Sequence, residues 1–198
     1  MGQEKEKKIG VEPTIKWSTV YGYGFFGQGC RSAFLSFQAY YLLIFLTDGL
    51  GLNSYVAATI YTATQWIKVI TMVAGGVLID AVPLKGGKFR PWMKYMTIVL
   101  FFAFGFMWFD FGLGTIPSII IFLILFTLDM LSYNTLWVAT RGIMGLMSKN
   151  SADAGRLAQG QQMSSSIVGL VNSMFYVAVV AYCTAHFKQG YSIAGFIF

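Results

Sequence analysis

Long apolar stretches alternate with short polar ones along this chain. Five of them cover residues 19–46, 55–79, 92–111, 116–143 and 163–185, and a sixth begins at residue 191 and runs to 198. The apolar positions are continuous rather than alternating, which excludes the strands of a membrane barrel and predicts helices. Each complete run reaches the roughly 20 residues that a helix needs to cross about 30 Å of hydrocarbon. Two of the connections, Asp48-Gly49-Leu50-Gly51 and Gly112-Leu113-Gly114, are turn-like, so successive helices are expected to be antiparallel neighbours. The stretch 147–159 is longer and polar, and is expected to be a connection with room for a surface helix. Residues 1–18 carry no cleavable signal pattern and read as a polar lead into a single bundle, 19–198. The pattern stops early in the sixth run, which predicts a fragment or a truncated product.

Composition turns these helices into membrane spans. Of the 198 residues, 56% are hydrophobic and 11% charged, against about 25% charged in an average soluble domain. Mean hydropathy is +0.62. A chain this small cannot bury so much apolar surface within itself, so the lipid bilayer is an expected partner. The net charge of +6 is placed with a bias. Lys5, Lys7, Lys8 and Lys16 precede the first run, Lys85, Lys88, Arg90 and Lys94 follow the second, and Arg141, Lys149 and Arg156 follow the fourth. The opposite connections carry only Lys188. The positive-inside rule then predicts a multi-pass protein of the cell membrane with a cytoplasmic N-terminus, and the charge is a topology signal rather than a nucleic-acid footprint. Cys30 and Cys183 lie in apolar runs, and there is one His. A disulfide scaffold, a metal centre, a cofactor and an enzyme's catalytic set are all unexpected.

Three ionisable side chains fall deep within the runs: Arg31, Lys68 and Asp129. An unpaired charge there costs at least about 2.5 kcal/mol, so such residues usually face a cavity or a partner. Two bases and one acid cannot all cancel. The expectation is that Lys68 pairs with Asp129, either to join two helices or to serve a solute.

The stretch from Gly76 to Trp92 contains Asp80 and then Gly87-Lys88-Phe89-Arg90-Pro91-Trp92. With Tyr21-Gly22-Tyr23-Gly24-Phe25-Phe26-Gly27 and the Thr47-Asp48 that closes the first run, it resembles the glycoside–pentoside–hexuronide:cation symporter family, the melibiose permease branch of the major facilitator superfamily. The resemblance implies an all-α integral membrane fold, here the N-terminal six-helix half of a twelve-helix transporter cut at the start of its sixth helix. The missing C-terminal half would then be a partner, and a small carbohydrate would bind between the halves. It also implies a cytoplasmic latch, with Asp80 pairing Arg141 and with Lys88 and Arg90 beside it. Small residues let helices approach closely in lipid, and Gly76 is the expected point of approach in the second helix.

The family's paired acids in the second span fall on Lys68 and Met72, with Thr71 as the neighbouring polar position. A hard cation needs several oxygen ligands, so the usual sodium site is expected to be lost, with Lys68 standing in for the coupling ion and a proton the more plausible coupling ion. The first-helix acid falls on Gly29 or Ser32, and the second register places Arg31 on the family's adjacent base. The fourth-helix acid falls on Tyr133, one turn after Asp129. Trp137 matches the sugar-contacting tryptophan, and the fifth-helix arginine falls on Gln162. Arg31, Asp129, Tyr133, Asn134, Trp137 and Gln162 are therefore the expected substrate contacts. The implied function is secondary transport of a sugar or glycoside by alternating access, and two excess cations favour an acidic hexuronide. A non-transporting sensor or scaffold, and a transporter of lipid or another solute on the same fold, remain open alternatives.

Overall fold

The computed structural model describes residues 14–187 and 189–197. The expected charges at Lys5, Lys7, Lys8 and Lys188 lie outside them, as does most of the polar lead. Everything regular among the described residues is helical: α1 Trp17–Gly49, α2 Ser54–Ala81, α3 Arg90–Met107, α4 Thr115–Met147, α5 Ser151–His186 and α6 Gly190–Ile197. α1, α2, α4 and α5 are long and apolar enough to cross a membrane. At 33 residues, α1 and α4 reach about 50 Å at 1.5 Å per residue. α3 is shorter than its expected run, ending at Met107, and its N-terminal turns carry Arg90 and Lys94.

Local chemistry sets the ends of these helices. Asn53 caps α2 by accepting from the Tyr55 amide at 3.1 Å. Asn150 caps α5 by accepting from the Asp153 amide at 2.7 Å. Pro91 sits in the first turn of α3, where a missing N–H costs nothing. Gly86 and Gly87, at φ 107° and 109°, turn the chain between α2 and α3 in a region that side chains with a Cβ avoid. The expected long connection at 147–159 is not found. α5 begins at Ser151, so the polar stretch forms the first turns of the fifth helix itself and no separate surface helix forms. The Asn150 cap explains this, because it starts the helix as soon as the chain turns.

α1 packs along α5, α4 lies between α2 and α3, and α6 rests on α3 and α5. Small residues set the closest crossings. A Cβ on Gly24 of α1 would strike the Gly160 backbone of α5, and one on Gly160 would strike Val20. On α2 the close approach is made by Gly75, where a Cβ would meet the Thr135 amide nitrogen of α4 at 2.9 Å. Gly76, the expected contact, has open space around it. The two differ by 100° of helix rotation, and only one of them faces α4.

One end of the bundle is closed by an aromatic cluster of Phe37, Phe45, Phe104, Trp108 and Tyr176. Phe37 meets Trp108 edge to face with ring centroids 4.9 Å apart, and the Tyr176 hydroxyl donates to the Ala33 carbonyl at 2.6 Å. Elsewhere large apolar side chains lie on the outside, Phe26, Trp66 and Met174 among them, as expected of a surface solvated by acyl chains.

Candidate functional site

α1, α2 and α4 bring their polar positions toward one another near mid-bundle. On α1, Arg31 and Gln38 are separated by two turns and share a face. On α4, Asp129, Tyr133 and Trp137 follow at i, i+4 and i+8 on one stripe. On α2, Thr71 lies on the buried stripe that meets α4, one turn before Gly75, and Lys68 sits about one turn before Thr71.

Asp129 is completely buried, and its partner is an amide. Gln38 donates through Nε2 to Asp129 Oδ2, while Asp129 Oδ1 and Gln38 Oε1 are both buried with no hydrogen-bond partner among the described residues. The expected Lys68–Asp129 ion pair is therefore not formed at contact distance. Lys68 remains an electrostatic neighbour of Asp129, half-buried, with its ammonium 5.9 Å from the Phe126 ring centroid. A carboxamide reached across from α1 takes the place the sequence reading gave to the lysine. A mid-span Gln two turns from an Arg on one face was the available signal for it.

Arg31 is just 5% exposed. Its guanidinium carbon lies 4.5 Å from the Tyr133 ring centroid and 4.7 Å from that of Trp137. Nε, Nη1 and Nη2 are enclosed and make no well-aligned hydrogen bond among the described residues, while the Tyr133 hydroxyl acts on them as a polar neighbour. Trp137 also carries Arg141 at 4.3 Å, so two guanidinium groups bear on one indole, attracted by the ring quadrupole.

The remaining expected contacts divide. Asn134 is tied down, donating to the Thr71 hydroxyl at 3.0 Å, and Thr71 in turn donates to the Ile67 carbonyl of its own helix at 2.7 Å. Gln162 is exposed and joins none of these groups, whereas its neighbour Gln161 is buried against α1 near Gly27. The structure thus brings together Arg31, Tyr133 and Trp137, and separately Gln38, Asp129 and Lys68, with Asn134 and Thr71 bridging α4 and α2.

The expected latch is rearranged. Asp80 pairs with Lys88 at 2.8 Å, both side chains exposed, and Arg141 turns to Trp137 instead. Asp80 and Lys88 belong to the end of α2 and its following loop, so their bridge pins one connection to itself. An exposed pair of this kind contributes about 0–1 kcal/mol. Arg90 opens α3 and is exposed. The loop is held instead by Phe89, whose ring occupies the space beside Gly142 of α4 that a Cβ would fill. Separately, Tyr23 ties α1 to α4, its hydroxyl donating to the Thr140 carbonyl at 2.7 Å.

Comparison with known proteins identifies the family. A family model described as MFS/sugar transport protein matches residues 20–198. A putative sulfoquinovose importer of Salmonella typhimurium is 28% identical over 195 residues, covering 93% of this chain and 39% of the relative. Its namesake in Escherichia coli is 28% identical over 196 residues, covering 93% of this chain and 40% of the relative. The uncharacterized symporter YnaJ of Bacillus subtilis is 24% identical over 188 residues, covering 92% and 38% respectively. The chain thus spans about two fifths of the length of the curated relatives it matches. No solved structure matches.

Proposed function

The chain belongs to the MFS/sugar transport protein family, and we propose that it supplies the N-terminal six helices of a transporter that carries an acidic sugar or glycoside across the cell membrane by alternating access, with its N-terminus in the cytoplasm. The observation that carries this reading is the trio of Asp129, Gln38 and Lys68. A carboxyl is fully buried and held by an amide, and an ammonium stands beside it without closing on it. A buried charge costs free energy unless something compensates it. A lysine at electrostatic range supplies positive charge permanently, where a bound cation would otherwise be needed. It would also repel sodium, so coupling runs through a proton on Asp129 rather than through a metal ion.

In this reading Lys68 is the cation that meets the acid group of the sugar, because it is half-exposed and makes no contact ion pair among the described residues. Tyr133 and Trp137 offer the aromatic face under the sugar ring, with Asn134 and Asp129 on the same helix to pair with hydroxyls. Arg31 lies behind those rings and positions them. Gln162 turns its exposed side chain away from this group and stands as a contact for the other half of the transporter. Asp80, Lys88 and Arg90 keep the α2–α3 connection on the cytoplasmic side. The relatives named for sulfoquinovose import, a sulfonated sugar, fit an acidic cargo.

The test is uptake by the full-length protein in proteoliposomes. An inward proton gradient should drive accumulation, a sodium gradient alone should not, and sulfoquinovose or a hexuronide should compete better than a neutral glycoside of the same size. Strong sodium stimulation, a preference for the neutral sugar, or binding without counterflow would each overturn the proposal.

A further inference from the structure

A cavity of about 600 Å³ opens between the α2–α3 connection and the C-terminal end of α4, walled by Lys88, Phe89 and Arg90 on one side and by Ile143, Leu146 and Met147 on the other. Gly86 and Gly87 complete the wall and leave open space where side chains would stand. That volume falls within the roughly 300–1,000 Å³ typical of small-molecule sites. Helix length places it. α4 has 33 residues, about 50 Å of helix, of which hydrocarbon takes up about 30 Å. Arg141 and Lys149 draw its C-terminal end toward the headgroups.

The two sides of the wall differ in chemistry. The Phe89 ring fills the space beside Gly142 and so fixes the connection against α4. Its chain neighbours Lys88 and Arg90 are thereby carried at a fixed point. Lys88 is shared with Asp80 at 2.8 Å, whereas Arg90 is exposed and makes no ion pair among the described residues. Arg90 also opens α3, whose first turn has no side-chain cap and no acid. A cation there stands against the helix dipole, and the first amides of the helix lack an intrahelical acceptor. An anion at that spot relieves both. Residues 80–94 hold four cations, Lys85, Lys88, Arg90 and Lys94, against one acid, Asp80. On the α4 side, Leu146 is 77% exposed and continues the hydrocarbon of Ile143 and Met147. A ligand that satisfies both sides carries an oxyanion and hydrocarbon in one molecule.

We propose that this cavity binds an anionic phospholipid of the cytoplasmic leaflet. Its phosphate oxygens meet Arg90, whose guanidinium fork matches them, with Lys88 as the second cation, and its acyl chains leave along Ile143 and Leu146. A headgroup seated there ties the α2–α3 connection to the end of α4. The proposal rests on the cytoplasmic placement of that connection and not on the identity of the transported solute.

The test is native mass spectrometry of the full-length protein in a non-ionic detergent, titrated with dimyristoyl phosphatidylglycerol or with dimyristoyl phosphatidylcholine. The anionic lipid should bind at least about fivefold more tightly, the effect of one cation near a membrane surface. Arg90→Gln should remove about that factor for phosphatidylglycerol and leave phosphatidylcholine unchanged. Lys149→Gln, which changes a cation outside the cavity wall, should leave both lipids unchanged. Inorganic phosphate, the charge without the chains, should not displace the lipid at equal concentration. In the wild-type protein, phosphatidylglycerol should slow hydrogen exchange in the peptides covering residues 86–90 and 143–147. Equal affinity for the two lipids, equal losses in Arg90→Gln and Lys149→Gln, displacement by phosphate, or unchanged exchange in both peptides would each overturn the proposal. The first, third and fourth outcomes are read in the wild-type protein, whether or not a variant folds.

Discussion

Two cations sit inside this bundle, and their surroundings are opposite. Lys68 on α2 is half-buried, lies within electrostatic reach of Asp129 and makes no contact pair with it. Arg31 on α1 is almost wholly enclosed, and aromatic rings stand where a counter-ion would be. Sequence alone gives them equal standing as basic residues in apolar runs. The packing separates them. An ammonium on a flexible stem can approach or leave a carboxylate with little rearrangement, whereas a guanidinium clamped by two rings is held in place. The first suits a step in which charge changes hands, and the second suits fixed recognition or bracing.

The sharpest break of this contrast is substitution by an apolar residue of similar length. Lys68→Met should lower uptake of an acidic sugar about ten- to hundredfold, the loss of one hydrogen bond to a charged group at about 1.5–3 kcal/mol. It should also lower thermal stability, because Asp129 loses its neighbouring positive charge. Arg31→Met should do the reverse to stability. Exchanging a buried charge for hydrocarbon is often neutral or stabilising, so its unfolding midpoint in a non-ionic detergent should equal or exceed the wild-type value. A midpoint that falls in Arg31→Met and rises in Lys68→Met would invert the comparison.

Gln38→Leu probes the acid that the two cations leave to an amide. It strands Asp129 without its hydrogen bond, at a cost of about 1–3 kcal/mol, visible as a lower unfolding midpoint and recovered in Gln38→Asn only if the shorter amide still reaches. Next in size, Tyr133→Leu removes one of the two rings on Arg31 and should cost about 1 kcal/mol, measured by the same thermal scan. In the Arg31→Met background there is no cation left for the ring to hold, so Tyr133→Leu should cost less there than in the wild type, which is the signature of direct coupling.

The smallest effect is expected far from both cations. Asp153 accepts from the Thr14 amide at 2.6 Å, the Thr14 hydroxyl at 2.8 Å and the Ile15 amide at 3.1 Å, strapping the approach to α1 onto the first turn of α5. Asp153→Ala should accelerate hydrogen exchange at Thr14 and Ile15 while leaving the unfolding midpoint close to wild type. A large midpoint drop would show that this strap, rather than the interior, sets stability.

Much of the fold was legible in advance because lipid imposes a simple rule: a backbone in hydrocarbon satisfies its own hydrogen bonds, so long apolar runs become helices. The turns at Gly112 and Gly114 followed from backbone preferences alone. The start of α5 did not, because a polar stretch on a helix that protrudes from the apolar run looks like a loop until its Asn150 cap is seen. The candidate site was half legible. Arg31, Lys68 and Asp129 announced themselves by cost, whereas Tyr133 and Trp137 came only from the family resemblance. Gln38 went unremarked because an uncharged amide raises no alarm in a sequence, although it is what holds Asp129.

The order of apolar and polar residues determined that this chain forms membrane-spanning helices and which of their side chains are too costly to be incidental. Tertiary structure decided who meets whom: Gln38 rather than Lys68 on Asp129, two rings rather than an acid on Arg31, Lys88 rather than Arg141 on Asp80, Gly75 rather than Gly76 against α4. The reason is geometric. Helix formation depends on neighbours along the chain, whereas partnership depends on the rotation and crossing of separate helices, where one residue of register changes the facing direction by 100°.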